Sequence, residues 1–295
     1  MAWWGQGRGA SESGLGDQTP LLLTERVPED APPPDRIAIA QWLWGAGYHI
    51  PGGEEYVLNL VKPFALNPAM SMLDITAGLG GTARAIAAAF GTYVTGLERD
   101  DELARRGMEM STLQGMQKRA PITSYDPDKL ELRAGGFDCI LGREATYAVA
   151  DKKRFLETVR QSLKERGQLL LIDFVAEPKA GVRPELSVWE RQQRVPPQLW
   201  TVGQYTECLG ALAFEIRVTE DTTDQYRREI LAGWGKMLHT VDFRSLPRKH
   251  VLAIVDEAER WVHTIAALES GALKVYRFLA LAGKGKPAAR PARKR

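Results

Sequence analysis

One continuous segment, residues 71–98, constrains the fold of this chain more than any other part of the sequence. Its consecutive parts are an apolar run, a glycine-rich turn, an alanine-rich helix and a second apolar run, at residues 71–75, 76–81, 82–90 and 93–97. Glu98 follows the second run and stands twenty residues after Gly78. This order of strand, glycine loop, helix, strand and acid predicts a parallel α/β unit that binds the adenosine end of a nucleotide-like cofactor.

The acid at the end of the first run indicates which cofactor this is. Asp74 lies four residues before Gly78, where a dinucleotide fold is apolar because a carboxylate would repel the pyrophosphate. A ligand that carries an ammonium and a sulfonium group and no phosphate suits this position, which favours S-adenosylmethionine. Glu98 would then accept both ribose hydroxyls, and Asp126, after the β-prone run 122–125, would contact the adenine amino group. Any one of these acids alone is equally consistent with a turn cap, but three at successive strand ends favour donor contacts.

Composition excludes several other classes of protein. The 295 residues, 44% of them hydrophobic, suffice for one domain with a cap, and no run reaches the roughly 18 apolar residues of a membrane span. The start lacks a secretory pattern, and Cys139 and Cys208 lie in apolar patterns, so buried thiols and a cytoplasmic location are expected. Four scattered histidines indicate no metal site, and a net charge of +2 argues against specific nucleic-acid binding.

Helix and strand patterns alternate between two polar ends, as a parallel sheet requires. We expect no fixed structure at residues 1–35, one folded domain at 36–282, and a basic tail at 283–295 that either solubilises the chain or contacts anionic lipid or nucleic acid. Cap segments are expected at residues 36–66, 176–200 and 223–270, the second of them a lid over the ligand.

Two boundaries late in the domain are specific predictions. Phe155, Val159 and Leu163 form one stripe of a helix that Gly167 should end, ahead of a continuous fifth strand at 169–175. Residues 273–281 predict a final strand that lies antiparallel at the sheet edge.

The chain resembles class I S-adenosylmethionine-dependent methyltransferases over roughly residues 37–282. The first motif of that family, Leu-Asp-x-Gly-x-Gly-x-Gly, corresponds to residues 73–80, with Thr76 in place of the first glycine. Residues 44–53 are similar to the "FGxGFxSxGG" segment that closes over the methyl donor in phosphoethanolamine N-methyltransferases, and residues 137–174 resemble the same small-amine branch. The resemblance implies a Rossmann-like α/β sheet of seven strands, the last antiparallel, with a helical cap. It also implies methyl transfer to nitrogen or oxygen of a small or amphipathic acceptor.

The donor site that follows lies on the loops after the first strands and on the closing segment. Its expected residues are Tyr48, Gly53, Asp74, Thr76, Ala77, Gly78, Gly80, Glu98, Arg99, Asp126, Pro127 and Arg143. Because Thr76 is β-branched, either the loop closes differently there or Thr76 bonds to the ligand. The catalytic Tyr and His of the phosphoethanolamine enzymes match Ala40 and Ala148, and a further Tyr matches Phe174, so the resemblance carries the donor site but not the substrate.

Candidate catalytic residues lie on the loop after the fourth strand and in the closing segment. Glu144 is expected to hold a cationic amine or take its proton, or else to pair with an arginine at the rim. Tyr147 would contact the sulfonium or simply pack, and His49 would act as a base or remain an ordinary loop histidine. Trp189, Trp200, Trp234 and Trp261 would form either an aromatic cage or part of the core.

Two other functions compete with methyl transfer. A catalytically degenerate binder, acting as a regulator or partner of another enzyme, is consistent with Ala40, Ala148 and Thr76. A nicotinamide-dependent reductase is opposed by Asp74.

Overall fold

The structure, a computed structural model, describes residues 27–284 and forms a mixed sheet of seven strands within that range. In chain order the strands are Ser71–Asp74 (β1), Tyr93–Glu98 (β2), Ile122–Ser124 (β3), Phe137–Arg143 (β4), Leu163–Ala176 (β5), Phe214–Asp221 (β6) and Leu273–Ala282 (β7). Their order across the sheet is β3-β2-β1-β4-β5-β7-β6, and β7 is antiparallel to both of its neighbours. The predicted Rossmann-like sheet with an antiparallel last strand is therefore confirmed.

Helices flank the sheet and build a cap over the carboxyl ends of its strands. They are Arg36–Trp44 (α1), Glu54–Leu60 (α2), Gly81–Phe90 (α3), Asp101–Leu113 (α4), Lys152–Ser162 (α5), Pro184–Gln192 (α6), Val202–Ala211 (α7), Thr223–Thr240 (α8) and Arg248–Glu269 (α9). Several begin at a side chain that accepts from the free backbone N–H groups of the first turn. Asp35 accepts from Ala38 N at 2.7 Å, and Thr201 forms a capping box with Gln204.

The position of β7 differs from the sequence prediction. The prediction placed residues 273–281 at the sheet edge, but β7 lies between β5 and β6, and β6 is the edge strand. Leu273, Val275 and Phe278 of β7 are fully buried, which suits a strand that is paired on both sides.

The boundary between α5 and β5 also differs from the prediction. The helix ends at Ser162, and Leu163 already pairs with Phe137 in the sheet. Residues 164–167 then bulge outward, with Arg166 in the left-handed region at φ 59°, before Gln168 pairs with Cys139. The apolar character of Leu163 therefore serves the sheet, although its spacing continued the helical stripe.

Two apolar layers pack on opposite faces of the sheet. Successive strand residues alternate between them, so that Met72 and Leu170 contribute to one layer while Leu73 and Leu171 contribute to the other. Val27 is buried in the first layer. Ala31 packs against the same layer, so part of the segment 27–35 contacts the domain, and the remainder of both expected tails lies outside the described residues.

No helix within residues 27–284 has the length and apolar character needed to span a membrane. In the same range, no three His, Cys, Asp or Glu side chains are grouped so as to hold a metal ion.

Candidate active site

A cavity of about 300 Å³ opens at the carboxyl ends of the central strands, where open α/β sheets bind their ligands. It is bordered by the loops after β1, β2 and β4, by α1 and α9, and by lid residues 192–195. Of the predicted site residues, it brings together His49, Thr76, Glu98, Arg99, Arg143, Glu144 and Tyr147. A second, much smaller void beside it contacts Tyr48, Asp74 and Ala77.

Glu98 connects the end of β2 to the glycine loop. Its Oε2 accepts from Gly78 N at 2.8 Å and its Oε1 accepts from Asp100 N at 2.9 Å. The side chain is buried, and burial raises its pKa, although the backbone donors oppose that rise. Since each carboxylate oxygen has two lone pairs, Glu98 retains the capacity to accept from a ligand hydroxyl in the cavity.

Asp74 carries an unpaired carboxylate oxygen. Its Oδ1 accepts from Thr76 N at 3.2 Å, but Oδ2 is buried and has no hydrogen-bond partner among residues 27–284. Burial raises the pKa of this carboxyl to about 7, while the Thr76 N–H and the Arg143 guanidinium act in the opposite direction. The void beside Asp74 measures about 10 Å³, near the volume that a single water requires. A buried oxygen without a donor is what an ammonium group would satisfy, so this site fits the cationic end of S-adenosylmethionine.

The closing segment, residues 45–53, lies directly on the glycine loop. Gly81 N donates to Gly47 O at 3.0 Å, and the Arg143 guanidinium donates to Pro51 O while lying 5.0 Å from the centre of the Tyr56 ring. His49 covers Gly78, whose φ is 54° and at which a Cβ would lie 2.0 Å from His49 Nδ1. Only glycine therefore suits position 78 with the segment in this place.

Thr76 explains how the loop tolerates the lost glycine. Its φ lies outside the left-handed region, and its Oγ1 accepts from Arg143 N at 2.9 Å. Of the two alternatives, the loop thus closes through a bond between Thr76 and the backbone of β4, and the side chain still borders the cavity.

The loop after β4 presents Glu144 and Tyr147 to the cavity. Glu144 adopts φ 56°, and its Oε1 accepts from Tyr226 Oη at 2.7 Å. Burial raises the pKa of Glu144, and the Tyr226 hydroxyl and Arg143 counteract that effect. Within residues 27–284, Glu144 forms no ion pair with an arginine, which was the alternative to its active-site role.

The other two catalytic candidates are less reactive groups. Burial and the nearby Arg143 lower the pKa of His49 to about 4, so its ring is uncharged at neutral pH. Burial raises the pKa of Tyr147, whose ring packs against Phe174 and Trp189 with centroids at 5.3 and 6.0 Å. His49 and Tyr147 therefore border the cavity as uncharged groups at neutral pH, and their catalytic roles stay predictions.

Several predicted site residues are not brought to the cavity. Asp126 is exposed, accepts from Asp128 N and pairs with Lys129 at 3.0 Å, and Pro127 follows it away from the cavity. Gly53 approaches the Trp44 carbonyl instead and borders a separate surface cleft. None of these three residues borders the cavity, and their contacts with the donor stay predictions.

The tryptophans follow the core interpretation for the most part. Trp189 is fully buried, and Trp200 packs against Tyr205 with ring centroids 5.3 Å apart. Among the four, only Trp261 borders the cavity, so they form no cage around it.

Sequence reasoning missed a buried carboxylate that supports the loop. Asp173, at the end of β5, accepts from Thr146 N and Thr146 Oγ1 at 2.6 and 2.7 Å, and from Tyr147 N at 3.2 Å. Burial raises its pKa to about 6 despite these donors. An acid inside an otherwise apolar strand was the signal that could have identified it.

Sequence reasoning also missed a set of arginines on the outer wall of the cavity. Arg36, Arg194 and Arg260 come from α1, the lid and α9. Glu257, 3% exposed, accepts from Arg36 Nε at 3.1 Å and from Arg260 Nε at 3.2 Å, and Arg194 pairs with Asp100 at 2.7 Å. These residues are far apart in sequence, and no local pattern links them.

Comparisons with known proteins agree with this geometry. The chain is 26% identical over 132 residues to phosphoethanolamine N-methyltransferase 2 of Caenorhabditis elegans, covering 44% of this chain and 30% of that protein. It is 27% identical over 127 residues to the glycine/sarcosine/dimethylglycine N-methyltransferase of Actinopolyspora halophila, covering 43% and 22%. The chain thus spans less than a third of the length of these two relatives.

A solved structure and a family model complete the comparison. Phosphoethanolamine N-methyltransferase 2 of Haemonchus contortus, bound to S-adenosyl-L-methionine, shares the fold with a TM-score of 0.74 at 19% identity, over 84% of this chain and 57% of that one. The model described as "Methyltransferase domain" matches residues 53–217, which is more than half of the sequence. The resemblance stated from the motifs is confirmed: the chain belongs to the methyltransferase-domain family.

Proposed function

We propose that this protein transfers a methyl group from S-adenosylmethionine to the nitrogen of a small acceptor that also carries an anionic group. The observation that carries the proposal is the unpaired, buried Oδ2 of Asp74, located beside Glu98 and the glycine loop at the carboxyl ends of the strands. A carboxylate in that place favours a cationic cofactor and opposes the pyrophosphate of a nicotinamide nucleotide.

The chain's own residues have limited chemical tasks in such a reaction. Bound S-adenosylmethionine would supply a methyl group that is already activated on sulfur. Asp74 and Glu98 hold the cofactor, the closing segment and lid exclude water, and the cavity walls align the acceptor nitrogen. Glu144 holds the acceptor nitrogen and takes its proton, because it borders the cavity and retains one carboxylate oxygen without a partner within residues 27–284.

The acceptor's anionic group is assigned to the outer wall of the cavity. Arg36, Arg194 and Arg260 border the cavity there, and guanidinium groups bind phosphate and carboxylate groups well. Both curated relatives are named for acceptors that combine an amine with such a group, phosphoethanolamine in one case and glycine or sarcosine in the other. Glu144 and the arginines thus match the two ends of a small zwitterion.

The cellular setting belongs to the same proposal. Cys139 and Cys208 are buried free thiols, which supports action in the reducing cytoplasm. The contact of the basic tail with anionic surfaces also stays a prediction.

An acceptor panel with isotope-labelled S-adenosylmethionine tests the function. Phosphoethanolamine, glycine and sarcosine are incubated with the enzyme, and products are identified by mass spectrometry. We expect at least one acceptor to gain a labelled methyl group. Binding of S-adenosylhomocysteine without turnover on this panel or in cell extract would instead support the degenerate binder, and preferential binding of NADH would overturn the proposal.

A further inference from the structure

We infer that Tyr226 is a positioning residue for methyl transfer: its hydroxyl holds one oxygen of Glu144 and leaves the other oxygen for the acceptor nitrogen. The inference rests on the proposed function and adds to it a residue from α8, 82 positions away in sequence. Tyr226 Oη donates to Glu144 Oε1 at 2.7 Å, a short hydrogen bond to a charged acceptor. Within residues 27–284, the hydrogen bond of the Glu144 carboxylate is made by Oε1, and Oε2 accepts none.

The two positions that carry the phosphoethanolamine-type dyad cannot perform this task here. Ala40 borders the cavity and Ala148 is buried near it, and neither side chain accepts or donates a proton. Glu144 borders the same cavity, whereas Tyr226 is 7% exposed and does not. Tyr226 therefore contacts Glu144 and not the cavity, and Glu144 is the group that contacts the acceptor.

The backbone of Glu144 is fixed in an unusual conformation. Its φ of 56° lies in the left-handed region, which a non-glycine residue adopts only where its surroundings enforce it. Glu144 N donates to Ile172 O at 2.7 Å. Further along the loop, Asp173 accepts from the N–H groups of Thr146 and Tyr147. The side chain is thus directed by a backbone that β5 holds in place.

Tyr226 is held as firmly as its partner. Tyr226 N donates to Thr222 O at 2.9 Å at the start of α8, and its ring packs edge-on against Phe174 with centroids 5.5 Å apart. Burial and the nearby Glu144 raise the pKa of the Tyr226 hydroxyl well above its ordinary value, so it remains a donor across the working pH range. A fixed donor favours the ionised form of the carboxylate.

This hydrogen bond has a defined effect on proton transfer. When the acceptor ammonium arrives, Oε2 of Glu144 takes one N–H proton, and the nitrogen lone pair forms the new C–N bond as the C–S bond breaks. The proton leaves Glu144 for solvent after the product departs, and Tyr226 keeps its own proton throughout. Because only ionised Glu144 can take the proton, the hydrogen bond lowers the pH at which the reaction begins.

Other charged groups around Glu144 also shift its pKa, in addition to the hydrogen bond from Tyr226. Arg143 at the end of β4 and Arg260 on α9 favour the carboxylate, whereas burial and Asp173 on β5 favour the protonated acid. Tyr147 and Tyr56 are further titratable neighbours, and burial raises the pKa of both hydroxyls, so they stay neutral. Tyr226 is the direct hydrogen-bond donor to the carboxylate in this set.

Tyr226→Phe tests the inference, because it removes the hydroxyl and keeps the ring. We expect the acidic limb of the kcat/KM profile to move upward by about one to two pH units, the range for losing a hydrogen bond to a charged group. Activity would be about 10- to 100-fold lower on the acidic limb and would approach that of the unmodified enzyme at high pH. An unmoved limb, or an equal loss at every pH, would overturn the inference.

A second readout does not depend on turnover. Titration of isotope-labelled glutamate carboxyls by NMR gives the ionisation of Glu144, with Glu144→Gln used to assign its signal. Tyr226→Phe should raise the pKa of Glu144, and an unchanged pKa contradicts the inference. If the acceptor panel shows no methylation, the proposed function fails, and this titration still decides whether Tyr226 controls the carboxylate.

Two controls separate positioning from folding. Tyr93→Phe removes a hydroxyl from an exposed tyrosine and should leave both readouts unchanged. In a Glu144→Gln background, Tyr226→Phe should cause no further shift. If Tyr226→Phe does not fold, Glu144→Asp withdraws the carboxylate from the hydroxyl instead, and the same upward shift is expected; its absence contradicts the inference.

Discussion

At the scale of the residue, the proposed donor site contains two buried acids, and Glu98 is the one whose removal is simplest to interpret. Glu98→Ala should weaken S-adenosylhomocysteine binding by about 1–3 kcal/mol, because ribose hydroxyls would lose their acceptor. Isothermal calorimetry measures the change. Asp126→Ala is the matched control, since that acid is exposed and paired with Lys129, and it should alter the affinity by less than about 0.5 kcal/mol. Equal losses of affinity in both variants would instead support a contact between Asp126 and the adenine.

We expect Asp74 to make the affinity for the cofactor depend on pH. Its pKa is raised to about 7, and the cationic end of the ligand pairs with the ionised form, so affinity for S-adenosylhomocysteine should rise as pH rises through 7. Asp74→Asn should bind weakly and without this dependence. Calorimetry at several pH values measures both, and a pH-independent affinity in the unmodified protein would argue against the pairing.

The same group has the opposite effect on the stability of the protein without cofactor. A carboxyl whose pKa is higher in the folded state binds more protons there, so the stability it contributes is present below its ordinary range near pH 4 and is lost as pH rises through about 7. Asp74→Asn should therefore reduce the fall in unfolding free energy across that window. Urea denaturation at each pH measures the difference from the unmodified protein.

At the scale of the element, the carboxyl end of β5 holds the loop that follows β4. Asp173 accepts from Thr146 and Tyr147, and removing it would leave buried N–H groups without acceptors. Asp173→Ala should lower the free energy of unfolding by about 2–4 kcal/mol, measured by urea denaturation. Asp126→Ala serves again as the exposed control. An equally small loss of unfolding free energy in both variants would show that Asp173 does not stabilise the loop.

The elements also show what could be predicted from sequence. Strand β1, the glycine loop, α3 and β2 follow from local patterns, because their apolar spacing, turn residues and terminal acid all lie within 71–98. The end of α5 could not be predicted, since Leu163 is buried in either conformation and only its pairing with Phe137 decides. The position of β7 depends on which strands it pairs with, and periodicity does not report that.

Some residues of the candidate site could also be predicted from local patterns, and others could not. Asp74 and Glu98 are the last residues of β1 and β2, and Glu144 directly follows β4, so their placement at the carboxyl ends of the strands could be predicted. Tyr226 and Glu257 reach the site through contacts between distant elements, and Asp126 turns outward because Asp128 and Lys129 satisfy it locally. Such contacts are absent from any local pattern.

At the scale of the whole molecule, the cap is attached to the sheet domain by ion pairs and by a buried lysine. Arg194 of the lid pairs with Asp100 near the donor loop, and Lys152 donates to the carbonyls of Val149 and Gln198. Since lid residues 192–195 border the cavity, a bound cofactor should slow trypsin cleavage after Arg191 and Arg194. Gel electrophoresis of digests with and without S-adenosylhomocysteine measures this, and equal cleavage rates would separate the lid from the donor site.

The position of the His49 imidazole over Gly78 has a consequence for homologous sequences. The ring occupies the volume that any side chain at 78 would need, so the bulk tolerated at one position limits the bulk tolerated at the other. Across homologous sequences, a larger residue in the loop should therefore accompany a smaller one at 49, and the two sites should have changed together rather than singly.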